Sequence, residues 1–344
     1  MARIPDKRDL RAYNPVLSDF VSALVQDRSN YIASKLFDEI QTERTGQVWL
    51  KSTLAGISGH DQIETRRAPG SGFVRVEGTA PSLASFELED DGLEYPLPVE
   101  YQDDSQLPYG LLQSEVEDLV DFMLGKREIR AAAYLCDNTR FTTVNIGSTS
   151  VRWTAPGANP MADLDALAKR VEIAGQNGRP DTLIFGGNPG WALSQNSRLI
   201  SDLAVTRDKT GSIPWPELAM KLGDKYGIAP ERVFWAKALR NEADLGLDQS
   251  NAYIWGDYVA MGRMGGASPV EIRGGVRVKG SAAMWARRKP AGHLPMTAGQ
   301  DATGIWVSTY WDEAVKSTIA RVELEESLVP IRNTPVQLLE DVEA

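Results

Sequence analysis

The chain is organised around the stretch SEVEDLVDFMLGKREIRAAAYLCDN, which runs from Ser114 to Asn138. Ser114 and Glu117 match a capping box, in which the hydroxyl and the carboxylate each accept from the other residue's backbone amide at a helix start. Apolar residues recur at three- and four-residue spacing and predict a buried stripe: Val116, Leu119, Val120, Met123, Leu124, Ala132, Ala133 and Leu135. A helix of this length spans on the order of 35 Å. We therefore expect one helix that crosses a whole domain.

The segment from residue 46 to residue 105 has a different character. Its strand-like pieces, such as Val48–Leu54 and Phe73–Glu77, are broken by glycines and prolines, and large apolar residues are sparse. Such a segment predicts a projecting hairpin, or a loop that orders against a partner. A surface excursion folded back on its own domain is the alternative. Before this segment, the spacing of apolar residues predicts an amphipathic helix from about Pro15 to Ile40.

After the long helix, helical and strand patterns alternate, which indicates a compact domain with a central sheet. The predicted helices begin at Pro160 and at Trp215, and the second ends at Tyr226 before Gly227. The predicted strands of this domain are Asp181–Phe185, Arg232–Ala236 and Ala252–Met261. Two closing strands are predicted at Gly304–Trp311 and Val315–Val329, and the last acidic stretch is expected to fray.

A hairpin is predicted between Val270 and Lys279. A three-residue loop from Arg273 to Gly275 would place Ile272 opposite Val276 and keep the apolar side chains on one face. A two-residue Gly-Gly loop would mix the faces. We therefore expect the three-residue loop, with Arg-Gly-Gly as turn chemistry.

The composition is that of an ordinary globular chain, with 344 residues, 42% hydrophobic and 24% charged. A formal net charge of −10 argues against a sequence-specific nucleic-acid reader, because phosphate neutralisation needs a dominant basic surface, but it does not exclude a container for nucleic acid. The single cysteine, Cys136, excludes an internal disulfide framework and fits a reducing compartment. We find no membrane segment and no signal peptide, and we expect synthesis in the cytoplasm.

The charges are segregated along the chain. From Glu87 to Asp121 there are twelve acidic residues and no Lys or Arg, whereas from Arg263 to Lys289 seven basic residues accompany only Glu271. Such separation favours contact between distant parts or between copies. Solvated surface on both stretches is the alternative. We predict an intersubunit contact formed by acidic and basic residues: Glu89, Asp90, Asp91, Arg273, Arg277, Lys279, Arg287, Arg288 and Lys289.

The sequence contains only weak matches to motifs for catalysis or metal binding. Asp208-Lys209-Thr210-Gly211-Ser212 matches only a fragment of a phosphorylated pump loop, and His60 and His293 are too few for a multi-histidine metal site. The phosphate-binding and nucleophile-elbow patterns are absent from the sequence. Cys136 is interpreted as a packed residue. We predict no catalytic residue, no cofactor and no metal, while catalysis by carboxylates alone stays open.

The order of parts resembles the major capsid proteins of tailed bacteriophages, which have the Hong Kong 97 phage-type shell fold shared with encapsulins. The similarity covers nearly the whole chain and includes the local character of Asp181–Phe185, Tyr253–Tyr258 and Trp306–Trp311. It implies an α+β fold with an N-terminal arm and helix at 1–45, an extended β-hairpin loop at 46–105, a peripheral domain with its spine helix at 106–160, an α/β axial domain at 161–300, and return strands with a tail at 301–344.

The same resemblance implies a structural protein rather than an enzyme. It would assemble with itself into hexamers and pentamers and form an icosahedral head shell around double-stranded DNA. A separate scaffolding protein, a portal and a decoration protein are the implied partners, and the location is the virion capsid after assembly in the host cytoplasm. Two other hypotheses stay open: an α/β hydrolase or transferase with residues 46–105 as a lid, and an encapsulin-like compartment.

Overall fold

The computed structural model describes residues 30–42, 45–50, 82–104, 108–149, 151–174, 179–203, 212–243, 247–264, 270–272, 275–278, 282–288, 305–331 and 336–342. Helices in these ranges are α1 (Ala33–Leu36), α2 (Val99–Asp104), α3 (Pro108–Leu135), α4 (Ile146–Thr149), α5 (Pro160–Ala174), α6 (Gly187–Gln195), α7 (Ser197–Leu203) and α8 (Trp215–Tyr226), with a 3₁₀ turn at Pro230–Arg232. None of these helices is long and apolar enough to cross a bilayer.

The predicted long helix is confirmed as α3, which has 28 residues. It begins at Pro108, six residues before the predicted capping box, so Ser114 lies inside the helix and does not cap it. Proline suits a first helical position because its missing N–H has no helical partner there. The buried stripe is confirmed at Val116, Val120 and Met123. The stripe was wrong at one position, because Ala131 and Ala132 are buried and Ala133 is exposed.

The first sheet lies against α3. Its strands are β1 (Asp38–Thr42), β4 (Glu89–Pro98), β13 (Ala283–Arg288), β14 (Ile305–Asp312) and β15 (Ser317–Pro330). The long strand β15 is central: it pairs antiparallel with β14 and β13 along one edge and with β4 along the other. Alternate β15 residues face the helix, and they build a core with it: Ala320, Val322 and Leu324 pack with Val116, Val120, Met123 and Leu124.

The second sheet has the strand order β5-β16-β10-β6-β7. Its strands are β5 (Thr142–Asn145), β6 (Thr182–Phe185), β7 (Val233–Trp235), β10 (Val259–Gly262) and β16 (Val336–Glu340). Residues of α5, α6, α7 and α8 share a core with it, which confirms the predicted α/β character. The turn after α8 shows why it ends where predicted, since Gly227 has φ +70°, a conformation that only glycine adopts easily.

Two smaller sheets complete the described structure. Strands β2 (Thr45–Leu50) and β3 (Ser82–Glu87) pair antiparallel as a hairpin stem, and β11 (Val270–Ile272) with β12 (Gly275–Val278) extends the same sheet through a parallel β12–β2 pairing. Strands β8 (Leu239–Asn241) and β9 (Asn251–Tyr253) form a two-stranded sheet. The strand predicted at Phe73–Glu77 lies outside the described residues.

Three local predictions were wrong. The hairpin register places Ile272 opposite Gly275 and Val270 opposite Arg277, so the loop is one residue shorter than predicted. The helix predicted up to Ile40 is helical only over Ala33–Leu36 among the described residues, because β1 instead pairs in parallel with β13. The final strand β16 does not fray: it lies between β5 and β10, and Val342 beyond it is fully buried.

Strand pairing joins segments that the predicted domain bounds separate. Strand β4, from residues 46–105, pairs with β15 in the first sheet. Strand β13 also belongs to the first sheet, and β16 belongs to the second. Local sequence patterns do not contain such long-range pairing, and the domain bounds stay a prediction. A shared core that includes Leu135, Trp285, Ile184 and Leu338 joins the two sheets at the end of α3.

Candidate subunit interface

The acidic strand β4 divides its carboxylates between two faces of the first sheet. Asp91 lies opposite Leu324 and Glu89 opposite Glu326, so both are on the face that packs against α3. Arg130 of α3 forms an ion pair with Asp91, and its Nη2 lies 3.8 Å from Glu89 Oε2. Thus two of the three acidic residues predicted for the intersubunit contact face a cation of their own chain.

The other face of β4 has its own cation. Glu94 lies opposite Arg321 of β15, and the two form an ion pair. The Tyr310 hydroxyl is 3.2 Å from the Glu94 carboxylate, and the Arg321 guanidinium lies over the Tyr310 ring at 5.0 Å. Asp90 is an exposed residue on this same face. The described cations that meet Glu89, Asp91 and Glu94 therefore come from α3 and β15.

Arg287 lies in a buried ionic cluster rather than on the surface. Its Nη1 donates to Glu39 Oε2 at 2.6 Å, and its Nε lies 3.6 Å from Glu326 Oε2. Arg127 of α3 meets the same Glu326 through two contacts, Nε to Oε1 at 3.0 Å and Nη2 to Oε2 at 2.8 Å. The Arg127 and Glu326 side chains are 1% and 0% exposed. Burial and, second, the nearby Arg127 lower the pKa of Arg287 to about 10, although Glu39 and Glu326 act in the opposite direction.

Of the remaining basic candidates, two lie within the described residues and three lie outside them. Arg288 pairs with Glu325 of β15, with Nη1 2.9 Å from Oε2, and is partly exposed. Arg277 lies on β12, opposite Val270 and beside Trp49. Arg273, Lys279 and Lys289 lie outside the described residues. Both Arg287 and Arg288 have carboxylate partners in their own chain. The intersubunit role stays a prediction for all nine residues.

The most connected carboxylate, Glu128, was not among the predicted residues. It is fully buried and accepts three hydrogen bonds, from the amides of Ile32 and Ala33 at 3.0 and 2.8 Å and from Trp255 Nε1 at 2.6 Å. Burial raises the pKa of Glu128 to about 7, against the effect of these donors. One carboxylate thus joins α3, the start of α1 and the turn after β9.

The other end of α1 is also held by a charged group. Arg232 donates from Nη2 to the Leu36 carbonyl at 3.1 Å and to Thr182 Oγ1 at 2.6 Å. The Trp285 indole donates to the Ala33 carbonyl at 3.0 Å. A carboxylate at the amino end and a guanidinium at the carboxyl end suit the polarity of the helix. These contacts fix residues 32–36 against α3 and both large sheets.

No family model and no curated protein matches this chain, but solved structures do. A phage-related protein from Bordetella bronchiseptica RB50 matches with a TM-score of 0.66 and 18% identity, over 96% of this chain and 98% of that one. A protein of Microbacterium phage Oxtober96 has a TM-score of 0.50 and 9% identity, over 99% and 94%. The capsid protein of the cyanophage P-SCSP1u has a TM-score of 0.48 and 12% identity, over 90% and 87%. The chain has the fold of the Bordetella phage-related protein.

Within this fold, the buried charges lie where α3 packs against the first sheet and α1. Periodicity contained a signal for them: continuing the α3 stripe from Met123 and Leu124 by four residues reaches Arg127 and Glu128. A charged residue on an apolar stripe predicts a buried partner. The partners themselves, Glu326 and the amides of residues 32 and 33, lie far along the chain and have no local signal. No group of three or more metal-binding side chains occurs in the described ranges.

Proposed function

We propose that this chain is a major capsid protein that assembles with copies of itself into an icosahedral head shell around double-stranded DNA. The observation that carries the proposal is the match to the Bordetella phage-related protein, which extends over nearly the whole of both chains at a TM-score of 0.66. The role is structural rather than enzymatic.

The charge of the chain supports this role. A formal net charge of −10 disfavours tight binding to phosphate, and DNA that is packed into a shell must move during filling. Contacts with DNA would be weak and independent of sequence. Hexamers and pentamers of this chain, a separate scaffolding protein, a portal and a decoration protein complete the proposed assembly. The proposed location is the virion capsid, after assembly in the host cytoplasm.

Residues 46–105 are proposed to reach a neighbouring copy through their hairpin. The stem formed by β2 and β3 supports this, because it extends from the first sheet and joins only β11 and β12 among the described strands. Replacing residues 51–81 by a short Gly-Ser linker leaves both stem strands in place. The variant is expected to keep its circular dichroism spectrum and cooperative melting but to form no shells.

Electron microscopy of the purified full chain tests the function directly. Closed particles of uniform diameter are expected, whereas monomers or small oligomers across a range of salt and protein concentrations would contradict the proposal and favour the hydrolase or transferase hypothesis. Mass spectrometry of the particles separates the third hypothesis. A second protein enclosed at fixed stoichiometry would support an encapsulin-like compartment instead of a phage head.

A further inference from the structure

Strand β14 presents a neutral, aromatic edge of the first sheet. It pairs with β15, and within the described ranges no other strand pairs with it. Its residues from Ile305 to Trp311 contain no charge and no proline. Tyr310 and Trp311 are 38% and 48% exposed, although large aromatic side chains are normally covered. An open edge of this composition is suited to pairing with another strand.

The strand on the other edge of β15 shows the contrast. Strand β4 carries four carboxylates, at Glu89, Asp90, Asp91 and Glu94, and two prolines, at Pro96 and Pro98. Charges and prolines on an edge strand prevent pairing with a further strand. One edge of the sheet is therefore protected against association, while the β14 edge carries no such protection.

We propose that β14 pairs antiparallel with β14 of a second copy, about a two-fold axis at Ser308. This inference rests on the proposed function, which supplies the second copy. Directly opposed residues of paired strands share a face, so a symmetric pair must be centred on a residue. Centring on Ser308 places Trp306 opposite Tyr310 and Val307 opposite Thr309.

The neutral composition of β14 from Ile305 to Trp311 favours a second copy of the same strand as the occupant. Each opposed pair in this register is neutral, and pairs of aromatic or β-branched residues stabilise antiparallel strands. The same symmetric pairing of β4 would bring carboxylates of two copies together. A nucleic acid fits the β14 edge poorly, because the strand has no Lys or Arg to neutralise phosphate.

A disulfide at the axis tests the pairing and its register. Opposed residues of antiparallel strands have Cα atoms about 4.5–5.5 Å apart, which a disulfide can bridge. Ser308→Cys is expected to form a linked dimer under mild oxidation at least ten times faster than Asp312→Cys, the control on the same strand away from the axis. Background from Cys136 is low, because burial raises the pKa of its thiol to about 12. Equal linking of both variants, or none, would overturn the proposal.

A charge at the axis provides the second measurement. Ser308→Glu is expected to fold, because Arg321 lies opposite position 308 on β15, but it brings two carboxylates together at the axis. The neutral control Ser308→Gln should associate like the wild type. Association of Ser308→Glu equal to that of Ser308→Gln in sedimentation velocity would count against the proposal and favour coverage of β14 by another segment of its own chain. If Ser308→Glu does not fold, the cysteine variants still decide.

The two proposals can fail separately. Closed wild-type particles without linking of Ser308→Cys would leave the proposed function intact and refute the β14 pairing. If Ser308→Cys forms linked dimers but the wild-type protein forms no particles, the pairing is supported and the shell is refuted.

Discussion

Removing Arg127 tests whether the buried ionic cluster stabilises the fold. The cluster contains two guanidinium groups, of Arg127 and Arg287, and two carboxylates, of Glu39 and Glu326, so its charges balance. Arg127→Met replaces the guanidinium group by a long apolar side chain. The fully buried Glu326 then has Arg287, at 3.6 Å, as its remaining described cation inside the cluster. Loss of one partner from a buried pair costs about 3–5 kcal/mol, because the other charge is left uncompensated away from water.

A matched control lies one helical turn away. Arg130→Met removes the same kind of side chain from the same helix, but Arg130 and its partner Asp91 are partly exposed, and Arg130 reaches Glu326 only at 4.0 Å. An ion pair in contact with water contributes about 1 kcal/mol or less. Unfolding in guanidinium chloride, followed by circular dichroism, measures both free energies of unfolding.

The double variant Arg127→Met with Glu326→Met makes the comparison sharper. It leaves Arg287 with Glu39, whose oxygen is 2.6 Å away, and restores the charge balance. The double variant should therefore be more stable than Arg127→Met alone. The reasoning is refuted if Arg127→Met and Arg130→Met lower the free energy of unfolding equally, or if the second substitution adds to the loss.

Two further predictions concern stability. Burial raises the pKa of Glu128 from 4.5 to about 7, so its contribution to stability is present below pH 4.5 and is lost as pH rises through about 7. The difference in unfolding free energy between wild type and Glu128→Gln should therefore change across this pH window. A difference that stays constant with pH would contradict the assignment. A Cβ at Gly186 would lie 2.3 Å from the Gly256 carbonyl oxygen, whereas one at Gly125 in α3 would meet no atom within 4 Å. Gly186→Ala should therefore lower the melting temperature, and Gly125→Ala should raise the free energy of unfolding by about 1 kcal/mol. A more stable Gly186→Ala or a less stable Gly125→Ala in calorimetry would contradict the packing described around these glycines.

The elements that the sequence predicted well have local signals at both ends. Helix α8 from Trp215 to Tyr226 follows a proline and ends at a glycine with positive φ, and β6 is a short apolar run between turn residues. The long helix was predicted from its periodicity, but its start was not, because the capping-box pattern at Ser114 is also compatible with a helix interior. Local chemistry decides these features, so local patterns predict them.

The site was predicted less well because its contacts join distant residues. The charge asymmetry correctly marked both segments as needing partners. It could not show that Arg287 meets Glu39 and Glu326, which are 248 and 39 positions away. Residue type alone also does not distinguish a buried arginine from an exposed one. Only the pairing of β13 with both β1 and β15 places these side chains together.

The position of β15 and β16 in the chain affects how the protein is made. Strands β4 and β14 find their described partner only in β15, and β5 finds its partner only in β16. A ribosome adding about 5–20 residues per second releases these two strands after every other described strand. Until then the first sheet lacks its central strand, and the second lacks the strand that joins β5 to β10. Synthesis order therefore delays completion of both sheets until the chain has been translated through residue 340.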